Sequence, residues 1–508
     1  MLDRWFGHNT HYYLHLLGLI GVAVGLPLSK VVLSISTMFL LLNLLLKADF
    51  KTYVENWKSS RTFVLILAFF LLHFVGLIWS ENISYGLNDI WKKIPLLIIP
   101  LVATAIPFNT RIDRRFLLLT FVASVLITSV LNVLFYHQLI GDKEVIEFRD
   151  MSQFGSHVRY ALLVVLAIVI AYNELVQRRM IPIALVIIGW LIFYTFYSQV
   201  IAGFLALMTA FIVVLFYHFY PKRKVILIGL SALTIGLLLA VANWLFYRPD
   251  IDVHNYLSKL DRITAEGNSY THDLTLIAPE TSRPIGEYVC MEELSREWGK
   301  VSQLPFKGLD KKGQLLAQTI IRYMASMELR KDADGFASLN KRDVKKIENG
   351  CASQYCQGMI ARLYGLKYQI LNESNPNGHS LLQRLEYWRA GSDLLAKNFL
   401  IGVGTGDVQA AFNAHYDRTE SALTEKNRLR THNYYITVCI TFGILGILLF
   451  LWIHFQFFKT VRSAHNLIGL CFIWILLVSY LTEDTLETQV GVTFFAFFMA
   501  IFIRPIKE

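Results

Sequence analysis

The sequence predicts an all-α, polytopic membrane protein of about twelve transmembrane helices, and three observations predict it. Apolar residues make up 55% of the 508 positions and charged residues 17%, with a mean hydropathy of +0.45. Soluble domains carry roughly 25% charged residues. The apolar residues also gather into runs near the length a membrane helix needs, about 20 residues. Finally, lysine and arginine are biased to alternate loops, with one sign along the whole chain.

The runs cover 11–27, 31–47, 62–79, 91–107, 116–137, 158–174, 181–197, 200–219, 225–247, 434–457, 466–482 and 488–504. The first follows Arg4 as a signal peptide would. No small-residue cleavage site follows it, and the next run starts at Val31, so it is read as a retained span. One set of loops holds Lys47, Lys51, Lys58 and Arg61; Arg111, Arg114 and Arg115; Arg178 and Arg179; Lys222, Arg223 and Lys224; Lys459 and Arg462, with Arg504 and Lys507 at the end. The other set is acidic: Glu81 and Asp89; Asp142, Glu144, Glu147 and Asp150; Glu483, Asp484 and Glu487. Both termini are therefore expected in the cytoplasm and the polar segment 248–430 outside it. The expected domains are a membrane part over 1–247 with helices 1–9, an external domain over 248–430, and a membrane part over 431–508 with helices 10–12.

The net charge of +10 is dealt out among short loops and forms no single patch, which argues against a nucleic-acid partner. Lys30, Lys143 and Arg149 go against the bias in outward loops, and Lys92, Lys93 and Arg159 do so at outward helix ends. The last three either snorkel to lipid phosphate or help build an anion site.

The external segment reads as a folded, mainly helical domain. Gly313 to Arg330 has amphipathic spacing, Ser338 to Gly350 is a short charged helix, and Ser380-Leu381-Leu382-Gln383 fits a capping box opening a helix to about Lys397. On that helix Arg384 shares a face with Trp388, on which it could stack. Cys290, Cys351 and Cys356 allow one disulfide. Cys439 and Cys471, within spans, read as packing.

Several motifs resemble chemistry without its context. Asp250-Ile251-Asp252 and Asp332-Ala333-Asp334 are chance-frequent DxD tripeptides on the side where nucleotide sugars are absent. Gly402-Val403-Gly404-Thr405-Gly406-Asp407 has no βαβ unit around it and reads as a turn returning the chain to the membrane. His8, His11 and His15 share a helical face without carboxylate or cysteine partners, so they read as interfacial residues. There is no serine elbow, P-loop or HExxH, and no metal or cofactor is expected.

Arg430-Thr431-His432-Asn433 stands apart, at the mouth of a span after the long polar segment. Thr431 or a neighbour is expected to cap the helix starting near Tyr434, leaving some of its first N–H groups free. The positive helix end disfavours an imidazolium, so a neutral His432 can accept a proton. With Arg428 and Arg430 alongside, the same end attracts phosphate. This suits attack by a hydroxyl on a carbon whose leaving group is a membrane-anchored phosphate or diphosphate.

His432-Asn433, nine residues, then Gly443-x-x-Gly446 resembles the signature of the bacterial O-antigen ligase family. The span count, the large loop before the motif and the run Arg384-Leu385-Glu386-Tyr387-Trp388 followed by Gly402 to Gly406 are similar too. The resemblance covers the membrane part, with 281–350 an elaboration. It implies a metal-independent, GT-C-like glycosyltransferase of the bacterial inner membrane with a periplasmic active site. Such an enzyme moves a glycan from undecaprenyl diphosphate to a hydroxyl of lipid A core or another glycan, and it meets membrane lipids but no nucleic acid. By resemblance His432 is the general base, Arg384 binds the diphosphate, and Asn433 and Arg430 complete the motif's surroundings. The family often has an arginine after a serine at a middle span's outer end. Here Ser198 is followed by Gln199, which leaves Arg159 or Lys92 and Lys93 to supply the charge. A polymerase of the same superfamily is the neighbouring reading, and a lipid-linked oligosaccharide flippase or other transporter the reading from another class. Spans nearly free of mid-depth charge favour a one-sided enzyme over a transporter.

Overall fold

The computed structural model describes residues 9–141, 151–220, 224–372, 375–377 and 380–503. Arg4, His8, Asp142, Lys143, Glu144, Glu147, Arg149, Asp150, Lys222, Arg223, Arg504 and Lys507 lie outside the described residues. The protein is an all-α polytopic membrane protein, 71% helical. Its chain forms two compact units, Met1–Leu227 with Arg384–Glu508, and Ile228–Gln383.

In the first unit the helices are α1 (Thr10–Leu28), α2 (Lys30–Lys47), α3 (Phe50–Ser59), α4 (Arg61–Val75), α5 (Ile83–Lys93), α6 (Pro95–Ala105), α7 (Arg111–Tyr136), α8 (His157–Leu175), α9 (Ile181–Tyr197) and α10 (Ile201–Phe219). Each of the twelve apolar runs overlaps a helix among the described residues, but those helices differ in length. Among the described residues seven are long and apolar enough to cross a membrane, or up to eight if the pair α3 and α4, bent by 95°, is one span. The run over 91–107 is split. Pro95 has no N–H to continue α5 and instead starts α6, where a first-turn proline costs nothing.

Helix α8 is buried almost all round, from Val158 to Ala171, and packs on α7, α9 and α10. A helix apolar on every face belongs at the centre of a membrane bundle. Helix α9, by contrast, exposes Leu185, Val186, Phe193 and Phe196, as a lipid-facing helix would.

The second unit takes up most of α11 (Lys224–Phe246), followed by α12 (Val253–Ser258), the strands β1 (Thr271–Ala278) and β2 (Arg283–Val289), α13 (Met291–Val301), α14 (Leu316–Ser326), α15 (Ala333–Ala337), α16 (Lys341–Glu348) and α17 (Gly358–Leu371). The antiparallel β1–β2 hairpin is a feature that sequence reading missed. The main core of the second unit gathers Leu294, Trp298, Leu316, Ile320, Tyr323 and Ile347 from its helices. The expected Gly313–Arg330 helix shrinks to α14. The charged helix starts at Lys341 with Asn340, in a capping box with Asp343, in place of Ser338. Two of the DxD aspartates are structural: Asp252 and Asp332 cap α12 and α15. Cys351 pairs with Cys356, and Cys290 is buried and free.

Helix α18 (Ser380–Lys397) brings the chain to the first unit, where α19 (Val408–Arg418), α20 (Tyr434–Ser463), α21 (Leu467–Thr482) and α22 (Gln489–Ile503) complete it. Helix α21 also packs on α8 and α10.

Candidate functional site

Helix α20 carries the site and is broken within it. Gly443 has φ 65° and ψ −157°, a conformation only glycine adopts without strain, and a Cβ there would lie 2.2 Å from the Leu400 carbonyl oxygen. The break frees backbone groups inside an apolar helix, and each needs a partner. The returning loop supplies them. Ile444 N–H donates to Phe399 O at 2.8 Å, while Ile440 O and Thr441 O accept from Val403 and Gly404 N–H at 2.8 and 3.0 Å.

The glycine run is therefore more than a turn. Thr405 Oγ1 donates to His73 O, Gly406 N–H donates to Ser80 Oγ, and the Asp407 carboxylate accepts from Glu81 and Asn82 N–H ahead of α5. These bonds fasten α4, α5 and α20 to one loop.

The short first half of α20, Tyr434–Phe442, holds the motif at its tip. Asn433 caps it, accepting from Ile436 N–H at 3.2 Å, so the cap is Asn433 and Thr431 is not. Thr431 Oγ1 is instead paired with Thr437 Oγ1. His432 sits at φ 49°, a left-handed conformation that is uncommon for a side-chain-bearing residue. Its N–H is held there by Asp484 Oδ2 at 3.0 Å, and Asp484 Oδ1 also accepts from Thr437 Oγ1 at 2.7 Å. A carboxylate thus already occupies part of the donor set expected to meet phosphate.

Two tiers of charge lie around this tip. In the outer tier, Glu483 takes Arg384 Nη2 at 2.6 Å and stands 4.0 Å from His432 Nδ1. The side chains of Arg384 and His432 are 30% and 33% exposed, open enough for a ligand to reach. Arg384 and His432, 48 positions apart (432 − 384), therefore converge on one carboxylate, and Arg384 meets Glu483 in place of the expected stack on Trp388. The Tyr387 ring lies 5.6 Å from the imidazole, and its hydroxyl donates to Asn427 O. Burial pushes that phenol up to about 12, so it keeps its proton and does not compete as a base.

The inner tier is sealed. Lys93 Nζ meets Asp89 at 2.5 Å and Glu487 at 2.9 Å, and Arg430 Nη1 meets Glu487 at 2.8 Å. The Lys93 and Glu487 side chains are 2% and 8% exposed, so a ligand could reach Lys93 only by displacing Glu487, while Arg430 is 19% exposed. Burial would raise the Glu487 carboxyl, yet Arg430 and Lys93 outweigh it and hold it below the usual carboxylate range. Arg430 is held above its usual range although burial opposes this, mainly by Glu487 and Asp484.

The remaining sequence-derived candidates fall at different distances from this centre. Arg159, in the first turn of α8, lies within electrostatic reach of Glu483, Asp484 and Glu487, and its buried Nε has no hydrogen-bond partner. Lys92 is exposed beside Lys93. Gln199 follows α9 in a left-handed conformation, φ 54°. Arg428 pairs with Asp417, away from the tip. His11 and His15 are buried, with His11 Nδ1 2.8 Å from Asn43 Oδ1. Among the described residues no group of three or more His, Cys, Asp or Glu is placed to hold a metal ion.

Sequence reading missed Glu483, Asp484, Glu487 and Asp89 as site residues and used them only as markers of sidedness. Three carboxylates within 483–487, at the mouths of two spans, were the available signal, because buried carboxylates require cations.

The O-antigen ligase family model matches residues 350–451, roughly a fifth of the chain. Residues 350–451 are thus similar to an O-antigen ligase domain. The matched segment contains Arg384, Arg430, His432, Asn433 and the glycine at the helix break, whereas the carboxylates holding them come from outside the matched residues. Members of the O-antigen ligase family are membrane glycosyltransferase-like enzymes. No curated protein matches the chain.

Proposed function

We propose that the protein is a glycan ligase, transferring a glycan from undecaprenyl diphosphate to a hydroxyl of lipid A core at the periplasmic face of the bacterial inner membrane. The observation that carries the reading is the meeting of Arg384 and His432 on Glu483 at the exposed tip of the broken helix. It supplies a base and a leaving-group cation side by side, the two groups this displacement needs.

In this reading the acceptor oxygen attacks the anomeric carbon and passes its proton to His432. The carbon–oxygen bond to diphosphate breaks, and polyprenyl diphosphate leaves with the electron pair. Glu483 has two duties. Before the donor arrives it neutralises Arg384, and during transfer it stabilises the imidazolium forming on His432. A diphosphate takes over the Arg384 guanidinium as Glu483 turns to His432. Arg159, next to the same carboxylates, is the cation proposed to stand where Gln199 replaces the family's arginine. Lys93 and Arg430 hold the floor of the site, and Asn433 sets the helix tip.

The test uses purified full-length protein in liposomes with undecaprenyl-diphosphate glycan and lipid A core. The expected result is glycan on the core with wild type, and a loss of roughly 10²–10⁴-fold with a folded His432→Ala chain. Longer glycans still on the carrier would instead make it a polymerase. No product from a competent donor and acceptor would return the transporter reading.

A further inference from the structure

The unit Ile228–Gln383 contains a cleft that the transfer reaction does not use. Its volume is about 570 Å³, within the range of small-molecule sites. Its walls are α14, the loop over Gly350–Cys356, α17 and Glu280 in the β1–β2 turn.

The chemistry of these walls is specific. Tyr355 and Tyr364 lie nearly parallel, with ring centroids 5.1 Å apart and planes 13° apart. Arg322 sits 5.1 Å over the Tyr368 ring and is fixed by both oxygens of Glu280, at 3.0 and 2.8 Å. Ser353 Oγ donates to the same carboxylate at 2.7 Å. The second terminal nitrogen of the guanidinium, Nη1, is buried with no hydrogen-bond partner. A donor left so is costly in a folded protein and marks a place where a ligand's acceptor lowers the free energy. Gln314 and Gln318 stand exposed on the rim. The Cys351–Cys356 disulfide closes the loop bearing Tyr355, so the aromatic platform is ordered before anything binds.

We propose that this cleft is a carbohydrate-binding site for a short, uncharged oligosaccharide. A pyranose offers an apolar C–H face that matches a tyrosine ring, and an edge of neighbouring hydroxyls that matches planar amide, carboxylate and guanidinium groups. A phosphorylated ligand would want several cations converging on it, whereas Glu280 neutralises Arg322 and leaves Lys312 as the other lining cation. A lipid tail would want continuous apolar walls, and here Leu315, Ala352 and Ala361 are interrupted by phenols, amides and the Arg322–Glu280 pair. The proposal does not depend on the transfer reading, because it uses none of the residues at the α20 tip.

The test is binding of free oligosaccharides to the purified full-length chain in an amphipathic polymer, so that no sugar-headed detergent competes. Neutral hexose, N-acetylhexosamine and uronic-acid oligomers are compared by calorimetry and saturation-transfer NMR. The expected result is binding of a neutral or N-acetylated oligomer, weakened about tenfold or more by Tyr355→Ala and by Gln318→Ala, the loss of one hydrogen bond or stacking contact. Both side chains are exposed, and unchanged thermal unfolding of the variants verifies their folds. His432→Ala is expected to bind as wild type, which separates this outcome from failure of the transferase. Absence of any oligosaccharide binding, preference for the acidic oligomers, or binding unaltered in both variants would overturn the proposal.

Discussion

Replacing Glu487 by glutamine removes one charge from a closed set of four: Asp89, Lys93, Arg430 and Glu487. Two cations meet this carboxylate at 2.9 and 2.8 Å. At an effective dielectric near 20 each contact carries roughly 6 kcal/mol of gross attraction, most of which offsets desolvation. What the variant exposes is the cost of the orphaned cations. Lys93 keeps Asp89, but Arg430 loses its direct partner, and breaking a buried pair in this way costs about 3–5 kcal/mol. The assay is thermal and denaturant unfolding of the purified chain in micelles. In the cycle with Arg430→Gln, the double variant should recover stability relative to the sum of the single variants, by about 0.5–3 kcal/mol. The pH dependence has a fixed sign. The Glu487 carboxyl is depressed in the folded protein, so its contribution is complete above the unfolded glutamate value of about 4.3 and disappears as pH falls through the folded value. Wild type should therefore lose this component only in acid, and Glu487→Gln should lack it at every pH. A Glu487→Gln chain as stable as wild type at pH 7 would refute the view that the inner tier is a sealed structural quartet.

Four further outcomes follow from the structure. Gly443→Ala should prevent stable folding, since its Cβ would fall 2.2 Å from Leu400 O. Gly189→Ala, with nothing within 4 Å, should be neutral or gain up to about 1 kcal/mol, both read by size-exclusion profiles after heating. Glu483→Gln should leave the protein folded yet lower glycan transfer about tenfold or more, because the imidazolium loses its counter-charge; unaltered transfer would remove Glu483 from the mechanism. Cys351→Ser should cost the second unit about 2 kcal/mol, from a short closed loop of sequence separation 5, measured as faster proteolysis near Tyr355.

The apolar runs were legible because burial in lipid demands length and hydropathy, which a sequence displays directly. The run over 91–107 misled because hydropathy does not register that Pro95 ends one hydrogen-bond ladder and opens another. The β1–β2 hairpin was illegible for a related reason: half of the β1 side chains are exposed and Ala278 alone of the strand is buried, so no apolar face announces the strand. At the site, His432 and Gly443 were legible from their spacing, and Arg384 from its resemblance. The carboxylates were not. Glu487 takes its meaning from Lys93, 394 positions earlier (487 − 93), and only the folded chain brings them together. Lys93 and Arg430 read as open phosphate ligands in the sequence because partners that distant do not appear there.

The break at Gly443 turns the nine residues of Tyr434–Phe442 into a ruler. One end of this rod is pinned by the loop that donates into Ile440 and Thr441, and the other presents His432. At 1.5 Å per residue the rod is roughly 14 Å long. A single inserted residue would lift the imidazole by about 1.5 Å and swing it by about 100° away from Glu483. The interval between histidine and glycine is thus a length standard, which sets how far above the glycine clasp a proton is to be taken.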